Sequence, residues 1–89
     1  MTRREVTIRN RLGLHARAAA RFVHTANRFR ARVTVSRNGK TMDGKSILGI
    51  LLLAASQGSA LVVGAEGDDE QEAVAALAEL VETGYGEGL

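Results

Sequence analysis

Three times along this chain the apolar residues fall on alternate positions, and between those stretches they recur at steps of three and four. That switching of period limits the fold more than any other feature of the sequence, because a two-residue period is a half-buried strand and a three-to-four period is one face of a helix. Val6 and Ile8 alternate with Glu5, Thr7 and Arg9 from Arg3 to Asn10. Val33 and Val35 alternate with Arg32, Thr34 and Ser36 from Ala31 to Arg37, and Leu61, Val63 and Ala65 are in phase from Ala60 to Glu66. From Ala16 to about Asn27, residues Ala19, Phe22, Val23 and Ala26 form an amphipathic helical face, with Arg17, Arg21, His24 and Arg28 on the other side.

Asn38-Gly39 is the strongest short hairpin signal a sequence offers, and it makes Lys40 to Asp43 a returning strand. Gly44 breaks that strand, and Ser46 is placed to cap a helix from Ile47 to Ala55. That helix is apolar on nearly every side, so either it is sandwiched or Ile47, Leu48 and Leu51 form an exposed apolar patch of the kind that meets a partner. After the Gln57-Gly58-Ser59 turn and the last strand, Asp68 is the expected cap of the final helix, with Gln71 as capping-box partner. Ala73, Val74, Leu77, Leu80 and Val81 are its apolar stripe, Glu70, Glu72, Glu79 and Glu82 face water, and 84–89 reads as a loose tail. The order is strand, helix, strand, strand, helix, strand, helix. It predicts an α+β fold in a single domain over residues 1–89: a four-stranded, mainly antiparallel sheet with three helices on one face.

With no Cys and two separated His, the 89 residues supply neither a disulfide nor a metal-ligand cluster, so no metal and no cofactor is expected. The N-terminus lacks an apolar signal stretch, and the longest apolar run falls well short of the roughly 20 residues that span a bilayer. The reading is therefore a cytoplasmic protein with no membrane contact. All twelve Lys and Arg lie between Arg3 and Lys45, against Glu5 and Asp43 alone, while the other eight acids begin at Glu66; the halves carry +10 and −8. A basic half of this kind suits RNA or an acidic protein partner. Only Phe22 and Phe29 punctuate it, both at helix-core spacing, so it lacks the aromatic platform that stacks bases, and no nucleic acid is expected.

The stretch from Gly13 to Phe22 carries the chemistry. A turn at Gly13 delivers His15 to the start of a helix, where unpaired backbone N–H groups favour neutral imidazole and accept an anion. Arg17 adds a guanidinium that can fork onto phosphate oxygens. A nucleophile, an anion socket and a counter-charge thus lie within five residues. Gly13-Leu14-His15-Ala16-Arg17 with Ala19 resembles the signature of the histidine-containing phosphocarrier family HPr of the bacterial phosphotransferase system, and the likeness continues through Asp43-Gly44-Lys45-Ser46-Ile47-Leu48-Gly49.

The resemblance implies an HPr-like open-faced sandwich acting as a relay rather than a turnover enzyme. His15 would accept the phosphoryl group of phosphoenolpyruvate from enzyme I and pass it to an enzyme II A-type domain or its nitrogen-branch equivalent. Arg17 and the backbone N–H groups of Ala16, Arg17 and Ala18 would stabilise the transferring group. Ile47, Leu48 and Leu51 would dock both partners, and Arg17, Arg21 and Lys45 would steer them; the protein would act as a monomer. Ser46 would be the site of an HPr kinase/phosphorylase in addition to its capping role. The family usually carries proline where this chain has Ala18, a departure also familiar from proteobacterial and nitrogen-type members; it retains an N–H and gives up rigidity.

Gly39-Lys-Thr-Met-Asp-Gly44-Lys45-Ser46 also satisfies the P-loop pattern literally. A P-loop requires its first glycine to leave a strand into a phosphate-wrapping loop, whereas Asn38-Gly39 turns the chain back on itself, so the match is read as a decoy. His24 is read as a surface histidine.

Overall fold

The computed structural model describes residues 1–86. It contains β1 (Thr2–Thr7), α1 (Ala16–Ala26), β2 (Arg32–Arg37), β3 (Lys40–Asp43), α2 (Ile47–Leu51), β4 (Ala60–Glu66) and α3 (Glu70–Glu82), followed by a 3₁₀ turn at Gly84–Gly86. The four strands form one antiparallel sheet in the order β1-β4-β2-β3. Alternation fixes the register: Val6 lies opposite Leu61 and Val35 opposite Val63, so the apolar members of all three long strands share one face. That face is buried beneath the helices, with α3 against β1 and β4 and α1 against α2 and α3. The other face carries Arg3, Glu5, Arg32 and Glu66 and is open to solvent. The expected α+β sandwich is therefore present.

The hairpin disposes of the P-loop pattern. Asn38 and Gly39 both take positive φ, 52° and 81°, and Arg37 pairs with Lys40 directly across them. That is the two-residue turn whose twist matches the strands it joins.

Four boundaries depart from the sequence reading. The first strand ends at Thr7 rather than Asn10, because its partner turns away at Gly58 (φ 89°); Ile8 makes two further backbone bonds and Asn10 is buried in the loop. Helix α2 ends at Leu51 rather than Ala55, because Leu53 and Ala54 donate to carbonyls only three residues back and Ala54 is left-handed at φ 51°. The cap of α3 is Asp69 rather than Asp68, and the Gln71 capping box is not made. Instead Glu70 Oε1 accepts the Gly67 N–H at 3.2 Å, and its Oε2 accepts the Thr2 hydroxyl at 2.6 Å and lies 3.1 Å from the N-terminal ammonium. Glu70 thus ties the edge strand to α3 rather than facing water.

The fourth correction is the tail. Gly84 to Gly86 is a turn with Tyr85 buried beneath it at left-handed φ 58°, while residues 87–89 of the expected tail lie outside the described residues. Burying a side chain of this size contributes on the order of 2 kcal/mol. Nothing in the helical periodicity reaches past Glu82, so the sequence pattern missed it. Phe29, likewise, sits beyond the end of α1 and is only half-buried, with the Arg28 guanidinium 5.6 Å from its ring centroid.

Candidate functional site

His15 is placed by a loop that has almost no freedom. Asn10 accepts the Gly13 N–H on its backbone carbonyl at 3.1 Å and donates its side-chain amide to the Gly13 carbonyl at 2.7 Å, and the Leu14 N–H reaches across to the Ala55 carbonyl at 2.9 Å. Gly13 is obligatory here. Its φ is +66°, and a Cβ would lie 2.7 Å from the Ala55 oxygen and 2.9 Å from the Ser56 Cα, both backbone atoms. Leu14 is buried and anchors the loop in the core.

The chain then enters α1 with His15 as its N-cap, extended at φ −82° and ψ 178°. A cap normally offers a side-chain oxygen to the first-turn amides; this one offers imidazole nitrogen. The Arg17 backbone N–H donates to His15 Nδ1 at 3.2 Å. In neutral imidazole the nitrogen that accepts is the one holding the lone pair, so this contact matches the tautomer protonated on Nε2, with the lone pair on Nδ1. The first turn of α1 contains no acidic residue, so the partial positive charge of the helix start is not neutralised from within. The Arg17 guanidinium is exposed and has no hydrogen-bond or ion-pair partner among the described residues. Ala16 is exposed beside it. Ala18, the position of the family's usual proline, is fully buried with Ala19, so its methyl packs into the core.

Ser46 holds the start of α2 through its Oγ, which accepts the Gly49 N–H at 3.0 Å. The preceding turn is fixed by Gly44, whose N–H donates to the Val33 carbonyl at 2.7 Å and whose missing Cβ would collide with the Val33 side chain at 2.4 Å. Asp43 Oδ1 accepts the Lys45 N–H at 2.9 Å.

Of the expected docking residues, Ile47 and Leu48 are exposed, at 43% and 69%, while Leu51 is half-buried and packs on the core. Sequence reasoning missed two others. Leu52 is 56% exposed because the early end of α2 turns it outward, and Leu12 is 71% exposed on the loop bonded to the Ala55 segment. A leucine between Arg11 and the turn glycine was the available signal. Two of the three expected steering cations are engaged: the Arg21 guanidinium donates to the Tyr85 carbonyl, and Lys45 Nζ donates to the Phe29 carbonyl at 2.8 Å. His24 is exposed in the last turn of α1. Among the described residues no three His, Cys, Asp or Glu side chains could together hold a metal ion, and no helix is long and apolar enough to cross a membrane.

Comparison with known proteins bears on this geometry directly. Residues 2–83 match the family model for the PTS HPr component phosphorylation site. The chain is 48% identical over 88 residues to the phosphocarrier protein HPr of Cupriavidus necator, covering 99% of each sequence. It superposes on the crystal structure of HPr from Thermoanaerobacter tengcongensis with a TM-score of 0.96 at 46% identity, covering all of both chains. It also matches the crystal structure of an HPr dimer from that organism, with a TM-score of 0.78. A match to the phosphorylation-site model across nearly the whole described chain, with close relatives in sequence and in structure, shows that this protein belongs to the HPr family of phosphocarrier proteins of the phosphotransferase system.

Proposed function

We propose that His15 accepts the phosphoryl group of phosphoenolpyruvate from enzyme I on Nδ1 and relays it to a histidine of an enzyme II A-type domain. The observation that carries this reading is the Arg17 N–H on Nδ1, at a helix start with no acid of its own. The His15 lone pair forms the new nitrogen–phosphorus bond as the donor nitrogen leaves with its electron pair, and the proton on Nε2 stays in place. The Arg17 amide, already beside the attacking atom, is then positioned to donate to a phosphoryl oxygen, and its guanidinium supplies counter-charge. The same contacts have to remain weak enough to release the group onward. Ala18 keeps the buried first turn helical without the ring of proline, which is compatible with this chemistry.

In this reading Ile47 and Leu48, together with Leu12 and Leu52, give both partners an apolar surface, and Arg17, Arg21 and Lys45 steer them, the last two with their charges held in place by bonds to carbonyls that do not neutralise them. The protein acts in the cytoplasm as a monomer. Ser46 is the regulatory position: a phosphate on its hydroxyl would place a dianion at the edge of the Ile47–Leu48 surface and raise the cost of docking. The deciding experiment is incubation with phosphoenolpyruvate and a cognate enzyme I, followed by intact mass before and after acid. One acid-labile phosphate on the wild type and none on His15→Ala is the expected result; an equal gain on His15→Ala would sink the proposal. Ser46→Asp is expected to slow the transfer, and an unchanged rate would remove Ser46 from the docking edge.

A further inference from the structure

The turn after α3 does more than close the core, because it reaches back to the helix that carries His15. Gly84, Tyr85 and Gly86 all take positive φ, 71°, 58° and 75°. Glycine enters that region freely, whereas a bulky residue is strained there. The Tyr85 ring is 1% exposed and belongs to the core, so its burial holds the turn in this conformation. The backbone carbonyl of the same residue accepts from Nη1 of the Arg21 guanidinium, 64 residues earlier in the chain.

Arg21 stands one helical turn beyond Arg17. Arg17, Ala20, Arg21 and His24, all exposed, line a groove together with half-buried Leu80 of α3. Helix α1 contains no acidic side chain. Like charges at the spacing of Arg17 and Arg21 repel, and two unrestrained guanidiniums would splay apart. A bond to a neutral carbonyl restrains Arg21 without cancelling its charge, and leaves most of its N–H donors for a further acceptor. Arg17 has no such restraint among the described residues.

We propose that Tyr85 is a positioning residue for docking: its buried ring fixes the turn, the carbonyl of the turn fixes Arg21, and Arg21 meets a carboxylate of the protein that exchanges the phosphoryl group with His15. The inference rests on the relay proposed above. A guanidinium already held in place loses less side-chain freedom on docking than a mobile one. The turn therefore acts on affinity for the partner and not on the transferred group. The chemistry of that partner follows from the surface, since cations along an acid-free helix beside Ala20 and Leu80 complement carboxylates that flank an apolar side chain.

The test joins two measurements on the full chain. In ¹⁵N relaxation of the arginine Nε–H groups, Arg17 should give an order parameter below about 0.6 and Arg21 one well above it. Tyr85→Ala should bring Arg21 down to the level of Arg17. In steady-state phosphorylation by a cognate enzyme I, with this protein as the varied substrate, Tyr85→Ala should raise KM about fivefold, the upper range for one exposed ion pair, with kcat unchanged. Arg21→Gln should raise KM as much, and Tyr85→Ala added to it should raise KM no further, because the ring acts through Arg21. Tyr85→Phe, which keeps the ring, should restore the wild-type KM. Should Tyr85→Ala fold poorly, Gly86→Ala removes no buried side chain yet strains the φ beside the Tyr85 carbonyl, and it should raise KM in the same direction. Arg21 as mobile as Arg17 in the wild type, a fall in kcat at constant KM, or additive effects in the double variant would each overturn the proposal. A wild type that takes up no acid-labile phosphate would overturn the relay and this inference together. A phosphorylated wild type whose KM is indifferent to the turn would overturn this inference alone.

Discussion

The starts of α1 and α3 have the same backbone geometry problem and opposite solutions. Each leaves first-turn N–H groups unpaired and a partial positive charge exposed. At α3 the charge is met by Glu70 and Glu72 in the first turn, with Glu70 also taking the Gly67 N–H, the Thr2 hydroxyl and the N-terminal ammonium. The Asp69 carboxylate is spent on the preceding loop. The first turn of α1 has no acid, and it carries the His15 imidazole and an Arg17 guanidinium with no partner among the described residues. The first arrangement is a closed structural joint. The second, in the function proposed above, is an anion site with His15 at its edge.

The sharpest way to break that contrast is to make α1 resemble α3. Ala16→Asp puts a carboxylate in the first turn, and phosphorylation by enzyme I should fall by about 100-fold, the loss typical of a disabled oxyanion site. The same substitution should raise helix stability by about 0.5 kcal/mol, so activity and melting temperature move in opposite directions. A fast, stable variant would show that the open charge is not what matters. The loop beside α3 tests the structural joint: Asp69→Ala leaves the Arg30 and buried Ala31 N–H groups without their Asp69 acceptor and should cost about 2 kcal/mol in urea unfolding, with phosphoryl transfer preserved.

Ser46→Ala, which removes the cap of the short α2, should cost about 1 kcal/mol by the same measurement. Should stability not change, the Gly49 bond is not holding that helix. The smallest effect is in the pH dependence. The Thr2 hydroxyl first, then the Gly67 N–H and the N-terminal ammonium, lower the Glu70 carboxyl from 4.5 to about 2. A carboxyl depressed on folding stabilises the folded state above its unfolded value and loses that contribution as pH falls toward the folded one. Glu70→Gln should therefore flatten the stability profile between about pH 4.5 and pH 2; an unchanged acid limb would remove Glu70 from the joint.

Much of this was legible beforehand because it rests on short-range rules. The period of Val33 and Val35 orients β2, Asn38-Gly39 can only turn, and Ser46 precedes a helical run, so strands, hairpin and cap follow from neighbouring residues. The readings that failed depended on distant ones. Asp69 takes the N-cap position of α3 but turns its carboxylate to the distant loop at Arg30 and Ala31, and Tyr85 packs into the core while Arg21 of α1 donates to its carbonyl. Leu51 and Leu52 exchange roles because Ala54 ends the helix early.

The amino-acid order by itself determined the α+β arrangement and the presence of His15 and Arg17 at a helix start, since periodicity and capping chemistry are local properties. Only the tertiary structure decided which cations are bonded to distant carbonyls and which leucines meet solvent. Those depend on hydrogen bonds and packing between segments far apart in the chain, and no pattern of neighbouring residues encodes them.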